Sequence, residues 1–225
     1  MGRSAVDYLD EVGEVYLLRQ LDPPGDPDPV ASNQSLTVVV GVVFVTQVPL
    51  FTFDSLKGSE AVATIIFALF SVFIGVGSVF CNKLLKGTVS VKYVPLACLL
   101  MSVFMIDLYF AAGSASTISV EGQTTTLGAL LSSFHGLRVL FDLSAVAFFA
   151  GLYVVPLFAV MQTRTPYYLR ARTIGANNII NAIFMILATF ASGFLLATGF
   201  SARGLFLALG LANLLAAAYI IRLLP

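Results

Sequence analysis

Three ionisable residues interrupt otherwise apolar stretches: Asp107 in FMIDLYF, Asp142 in RVLFDLS, and Arg138 four positions before Asp142. A charge inside a bilayer costs about 2.5–3.5 kcal/mol on insertion scales, so it marks a binding, relay or pairing site by default. Four apart on a helix, Arg138 and Asp142 share a face and are spaced for an ion pair. Two readings stand for the aspartates: a charged site within the membrane, or anchors that hold a helix end at the interface. Gln47, just before Pro49, is a further polar candidate.

A second polar set opens RARTIGANNIINAIFM (170–185). Asn177, Asn178 and Asn181 lie three and four residues apart, hence broadly on one side of a helix. Ala182, Met185, Ala188, Thr189 and Ser192 continue a small or polar stripe. Membrane helices associate through such small and hydrogen-bonding side chains. The stripe is either helix–helix glue or the polar wall of a cavity.

Little supports catalysis. The chain has one histidine, His135, and two cysteines, Cys81 and Cys98. It lacks a His/Cys cluster, a Gly-rich phosphate loop and H-E-x-x-H, so no metal, no other cofactor and no enzymatic activity is expected of these residues. His135 and Asp142 stand further apart than the His/Asp pair of membrane acyltransferases. Cys81 is expected in a loop and Cys98 in a span, both as packing residues.

The scaffold holding these residues must be a membrane one. Of 225 residues, 58% are hydrophobic and only 11% charged, and the mean hydropathy is +0.94. Soluble domains carry about 25% charged residues. The net charge of zero argues against nucleic acid as a partner. An all-α integral membrane fold of six spans is expected, at about 36–53, 61–81, 93–112, 139–160, 174–198 and 203–222, each close to the roughly 20 residues that cross a bilayer.

Residues 1–35 form an acidic tail, with Arg3 and Arg19 facing seven carboxylates in the first thirty residues. Its first part has a rough helical stripe, and LDPPGDPDP then forbids helix. A short surface helix and a partly disordered tail are both open.

Lysine and arginine divide unevenly between the two sides. Arg3, Arg19, Lys83, Lys86, Lys92, Arg164, Arg170, Arg172 and Arg222 fall on one side, against Lys57, Arg138 and Arg203 on the other. Nine against three, alternating loop by loop, places both termini in the cytoplasm.

TQVPLF in span one and YVVPLF in span four set Pro49 and Pro156 near the ends of oppositely directed helices, as gating or kink positions. Paired Pro-interrupted helices in two inverted halves characterise three-plus-three transporter repeats; chance similarity between apolar runs is the other reading. SVFCNKLLKG (78–87), the loop after span two, resembles the loop motif of the major facilitator superfamily. Ser78 stands at its first glycine, Asn82 at its acid, and Lys83 and Lys86 at its cations.

Residues 46–87 and 151–185, the latter including RARTIGANNIINA, resemble the lysophospholipid transporter family of that superfamily. The likeness is closest to the transporter portion of proteins fused to 2-acylglycerophosphoethanolamine acyltransferase and acyl-carrier-protein synthetase domains. It runs from about residue 36 to the end and corresponds to the C-terminal six-span half. The resemblance implies alternating access in a bacterial inner membrane. Lysophosphatidylethanolamine-like lipids would pass from the outer to the inner leaflet for reacylation. It also implies as partners the bilayer, an N-terminal six-span half or a second copy, and a fused or separate acyltransferase. The first helix of each repeat lines the cavity in this superfamily, which favours Gln47 and span four. A facilitator of another small solute and a membrane anchor for lipid-remodelling enzymes are the alternatives.

Overall fold

The computed structural model of the protein describes residues 47–85, 90, 92–115, 124–164 and 167–223. The acidic segment 1–35, most of span one and Lys86 lie outside the described residues. Residues 47–54 are helical and are named α1 here. There follow α2 (Glu60–Leu84), α3 (Val94–Ala115), the short α4 (Leu127–Ser132), α5 (Phe134–Arg164), α6 (Arg170–Ala197) and α7 (Ala202–Leu223). The described residues are all-helical, apart from one isolated backbone bridge between Gly58 and Thr125.

Among the described residues, four helices are long and apolar enough to cross a membrane: Glu60–Leu84, Val94–Ala115, Phe134–Val160 and Arg170–Ala197. Ala202–Leu215 is a shorter apolar stretch at the start of α7. The segments expected as spans two to six are helical, in α2, α3, α5, α6 and α7 respectively. One correction concerns the end of α2. Cys81 and the residues Ser78 to Lys83 belong to this helix and not to a loop, because it runs on to Leu84. Cys81 is buried there against α3 and α5.

Packing orders the bundle as α2, α5, α3, α7, with α5 between α2 and α3 and α3 between α5 and α7. At one end the turn after α1 is stitched to the approach to α4. Thr125 N donates to Lys57 O at 2.7 Å, Ser59 N to Thr125 O at 3.2 Å, and Thr125 Oγ1 to Leu56 O at 2.8 Å. Arg203, at the start of α7, lies 5.6 Å from the Tyr109 ring near the end of α3. Phe51 of α1 meets Phe206 of α7 edge to face at 5.0 Å. At the opposite end Cys81, Val94, Ala97, Leu157 and Ala217 form a second apolar cluster. Thus α2, α5 and α7 run in one direction and α3 returns between them.

The tightest crossing is between α2 and α5. A Cβ on Gly77 would overlap the Phe148 carbonyl, whose carbon lies 2.9 Å away. A Cβ on Gly151 would overlap the Ile74 carbonyl and come within 3.0 Å of Ser78 N. Small residues let membrane helices approach in this way, where the lipid provides no hydrophobic drive for association.

Helix α6 behaves differently. Of its described side chains only Ala188 and Ser192 are buried, while Ile179, Ile183, Ile186, Phe190 and Phe194 are all more than half exposed. Apolar exposure all around a helix suits hydrocarbon as solvent, not water.

Candidate functional site: a charged cluster inside the bundle

Helices α3 and α5 bring Asp107, Arg138 and Asp142 to one level. Asp107 lies eight residues before the end of α3, and Asp142 eight residues after the start of α5. At 1.5 Å per residue each is about 12 Å from the same end of the bundle.

The partner of Arg138 is different from the expected one. Its Nε donates to Asp107 Oδ2 at 3.1 Å and its Nη2 donates to Asp107 Oδ1, a bidentate pair joining α5 to α3. The expected pair with Asp142 on its own helix is not formed. The planar guanidinium fork matches both oxygens of a carboxylate presented across the helix gap, and two parallel charge-assisted bonds outweigh one made along a helix face. The Arg138 and Asp107 side chains stay 38% and 36% exposed. Asp142 is 1% exposed, and its Oδ2 has no hydrogen-bond partner.

An apolar and aromatic collar surrounds the cluster. Met105, Leu108, Val139 and Leu143 are buried beside it. Phe104, one turn before Asp107, stacks on Phe149 at 5.8 Å and meets Phe141 edge to face at the same distance. One cation and two carboxylates beside such walls can hold a zwitterion or exchange partners, because the apolar surroundings weaken the screening of each charge.

The other candidates are dispersed. Gln47 is buried in α1 beside Val48, and Pro49 is half-buried. Pro156 is buried within α5, which continues as helix through it. Ser78 donates to Ile74 O at 2.8 Å within α2. Asn82 and Lys83 are exposed in its last turn.

On α6, Asn178 is exposed and Asn177 and Asn181 are half-buried. Asn177 Nδ2 and Asn181 Oδ1 are shielded yet carry no hydrogen bond. Interhelical hydrogen-bond glue is therefore not what these two atoms provide. Of the small and polar stripe, Ala188 and Ser192 are buried, while Ala182, Met185 and Thr189 face outward. Near the start of α6, Arg170 lies over the Tyr167 ring at 5.8 Å. His135 packs edge to face on Phe134, and its Nδ1 is buried without a partner. Among the described residues no set of three His, Cys, Asp or Glu side chains converges as a metal site would require.

Sequence reasoning missed one polar knot between α3 and α7. Asn213 Nδ2 donates to Cys98 O at 3.0 Å and to Ser102 Oγ at 2.9 Å. The Cys98 thiol donates back to Asn213 Oδ1 at 3.3 Å, and Ser102 Oγ donates to Cys98 O at 2.9 Å. Cys98 is thus a hydrogen-bonding residue as well as a packing one. Its spacing of four from Ser102 was the available signal, but nothing in the sequence pairs either with Asn213. Asn213→Leu should lower stability by about 1 kcal/mol, the usual scale of interhelical hydrogen bonds in membranes. Thermal unfolding in detergent micelles checks this, and an unchanged midpoint would show the knot to be energetically idle.

No family model, no curated protein and no solved structure matches the chain.

Proposed function

We propose that the chain is one six-helix half of a membrane transporter that moves lysophospholipids with a phosphoethanolamine-like head group by alternating access. In this reading the Asp107–Arg138–Asp142 cluster receives the head group. The observation that carries it is a bidentate ion pair, more than a third exposed, beside a fully buried carboxylate with a free oxygen.

A zwitterionic head group is complementary to the Arg138–Asp107 pair, anion to cation and cation to carboxylate. Its phosphate competes with Asp107 for the Arg138 fork, and its ammonium finds the carboxylate so released or Asp142. The ion pair is then a lock that substrate opens, since Arg138 cannot serve Asp107 and a phosphate bidentately at once. The single acyl chain would lie against the aromatic collar, as apolar ligand portions do in pockets with few polar groups. The partner half would be an N-terminal six-span domain or a second copy. The cation-rich end, holding Lys83, Lys92, Arg170, Arg172 and Arg222, is the cytoplasmic one by charge bias, in a bacterial inner membrane.

Vesicle uptake of labelled lysophosphatidylethanolamine by the complete transporter tests this reading. Asp107→Asn should reduce uptake about tenfold or more, the effect of losing roughly 1.4 kcal/mol of head-group recognition. Unimpaired uptake would remove the ion pair from the mechanism, and the same result for Asn181→Ala would remove the α6 asparagines.

A further inference from the structure

The outward face of α2, turned away from the cluster, carries an open groove of about 460 Å³ lined by Val72, Gly75, Val76, Val79, Phe80 and Lys83. These positions recur every three or four residues and so form one stripe along the helix. Gly75 lines it without a side chain, and a Cβ there would meet nothing within 4 Å. Val72, Val76, Val79 and Phe80 stand exposed around it. Phe80 leans on Phe148 of α5 at 5.6 Å and closes one side. Lys83 sits exposed at the end of the stripe and forms no hydrogen bond or ion pair with a described residue.

Length and charge identify an occupant. From Val72 to Lys83 the helix rises about 16 Å at 1.5 Å per residue. That is close to one leaflet of a hydrocarbon core about 30 Å thick. A groove one leaflet deep, apolar along its length and ending in a cation, matches a lipid with its acyl chain along the groove and a negative head group at the end. The close-packing surface of α2, at Gly77, is already taken by α5.

We propose that this groove holds one acyl chain of an anionic phospholipid from the leaflet at the Lys83 end, with the ammonium of Lys83 against its phosphate. The site is separate from the charged cluster and does not rest on the transport reading. The chain thereby selects a particular annular lipid.

Reconstitution of the full chain in nanodiscs with phosphatidylglycerol or phosphatidylcholine, each carrying a mid-chain diazirine, tests the proposal. Photolysis should concentrate adducts on 72–80, above the Ile179–Phe194 face of α6, which is at least as exposed. Phosphatidylglycerol should label about fivefold more than phosphatidylcholine, the effect of one cation near an anionic lipid surface. Lys83→Gln should erase that preference while leaving acyl-chain labelling in place. Gly75→Leu should abolish labelling of 72–80 by both lipids with the thermal midpoint unchanged. Adducts spread evenly over α2 and α6, or a head-group preference that survives Lys83→Gln, would overturn the proposal. Crosslinks from this face to a protein helix in place of lipid would overturn it too, and would make the groove a helix-packing surface.

Discussion

Arg138→Gln is expected to destabilise the bundle by about 2 kcal/mol and to be worse than removing the ion pair altogether. The substitution breaks both guanidinium bonds to Asp107 and leaves two carboxylates, Asp107 and Asp142, without a compensating cation. Stripping one partner from a fully buried pair costs about 3–5 kcal/mol, most of it from the charge left behind. Here both side chains are more than a third exposed, so water reaching them reduces that figure. The double variant Arg138→Gln/Asp107→Asn removes the orphaned Asp107 charge with its partner, and its loss should be about half that of Arg138→Gln alone. Unfolding midpoints of the wild type, both singles and the double in one detergent complete the cycle. Strictly additive losses would mean that the bidentate geometry contributes no coupling between α3 and α5.

Gly77→Ala should cost about 3 kcal/mol, at the upper end of overpacking penalties. The added methyl would overlap a backbone carbonyl of α5, and a backbone atom cannot swing aside as a side chain tip can. The two helices must separate along the crossing, losing contacts well beyond the substituted site. Gly151→Ala should behave alike, since it meets the backbone of α2 at Ile74 and Ser78. Gly75→Ala supplies the control within the same helix. With nothing within 4 Å of its Cβ, it should be neutral or should stabilise by up to about 1 kcal/mol through helix propensity. Equal behaviour of Gly75→Ala and Gly77→Ala in thermal unfolding would refute the proposed α2–α5 contact.

The helices themselves were legible from hydropathy, because a chain that must satisfy every backbone group internally has few options in an apolar setting. Expected segments and observed helices agree within a few residues, except that α5 starts five residues early, at Phe134, and runs on to Arg164. The end of α2 was misread for a reason of composition: Asn82 and Lys83 look like loop residues, yet helix continues beneath them while their side chains reach outward. Asp107, Arg138 and Asp142 were legible as a group, since charges in apolar runs are conspicuous.

Partner choice was not legible. Local spacing offered Arg138 to Asp142, but Asp107 takes it from 31 residues away, because the crossing of α3 and α5 aims a carboxylate at both guanidinium edges. Asn213 is a single polar residue in an apolar helix, and only the packing of α3 sets Cys98 and Ser102 opposite it. The asparagines of α6, conspicuous as a motif, make no interhelical bond through Asn177 Nδ2 or Asn181 Oδ1.

The amino-acid sequence by itself determined that this is a helical membrane protein, where its helices run and which charges lie within them. Each of those properties depends on the transfer of a local segment between water and hydrocarbon. Only the tertiary structure decided which of two glycines, Gly75 or Gly77, touches another backbone, and which carboxylate holds Arg138. These depend on the angle and rotation at which one helix meets the next, and residue spacing along a single helix does not encode them.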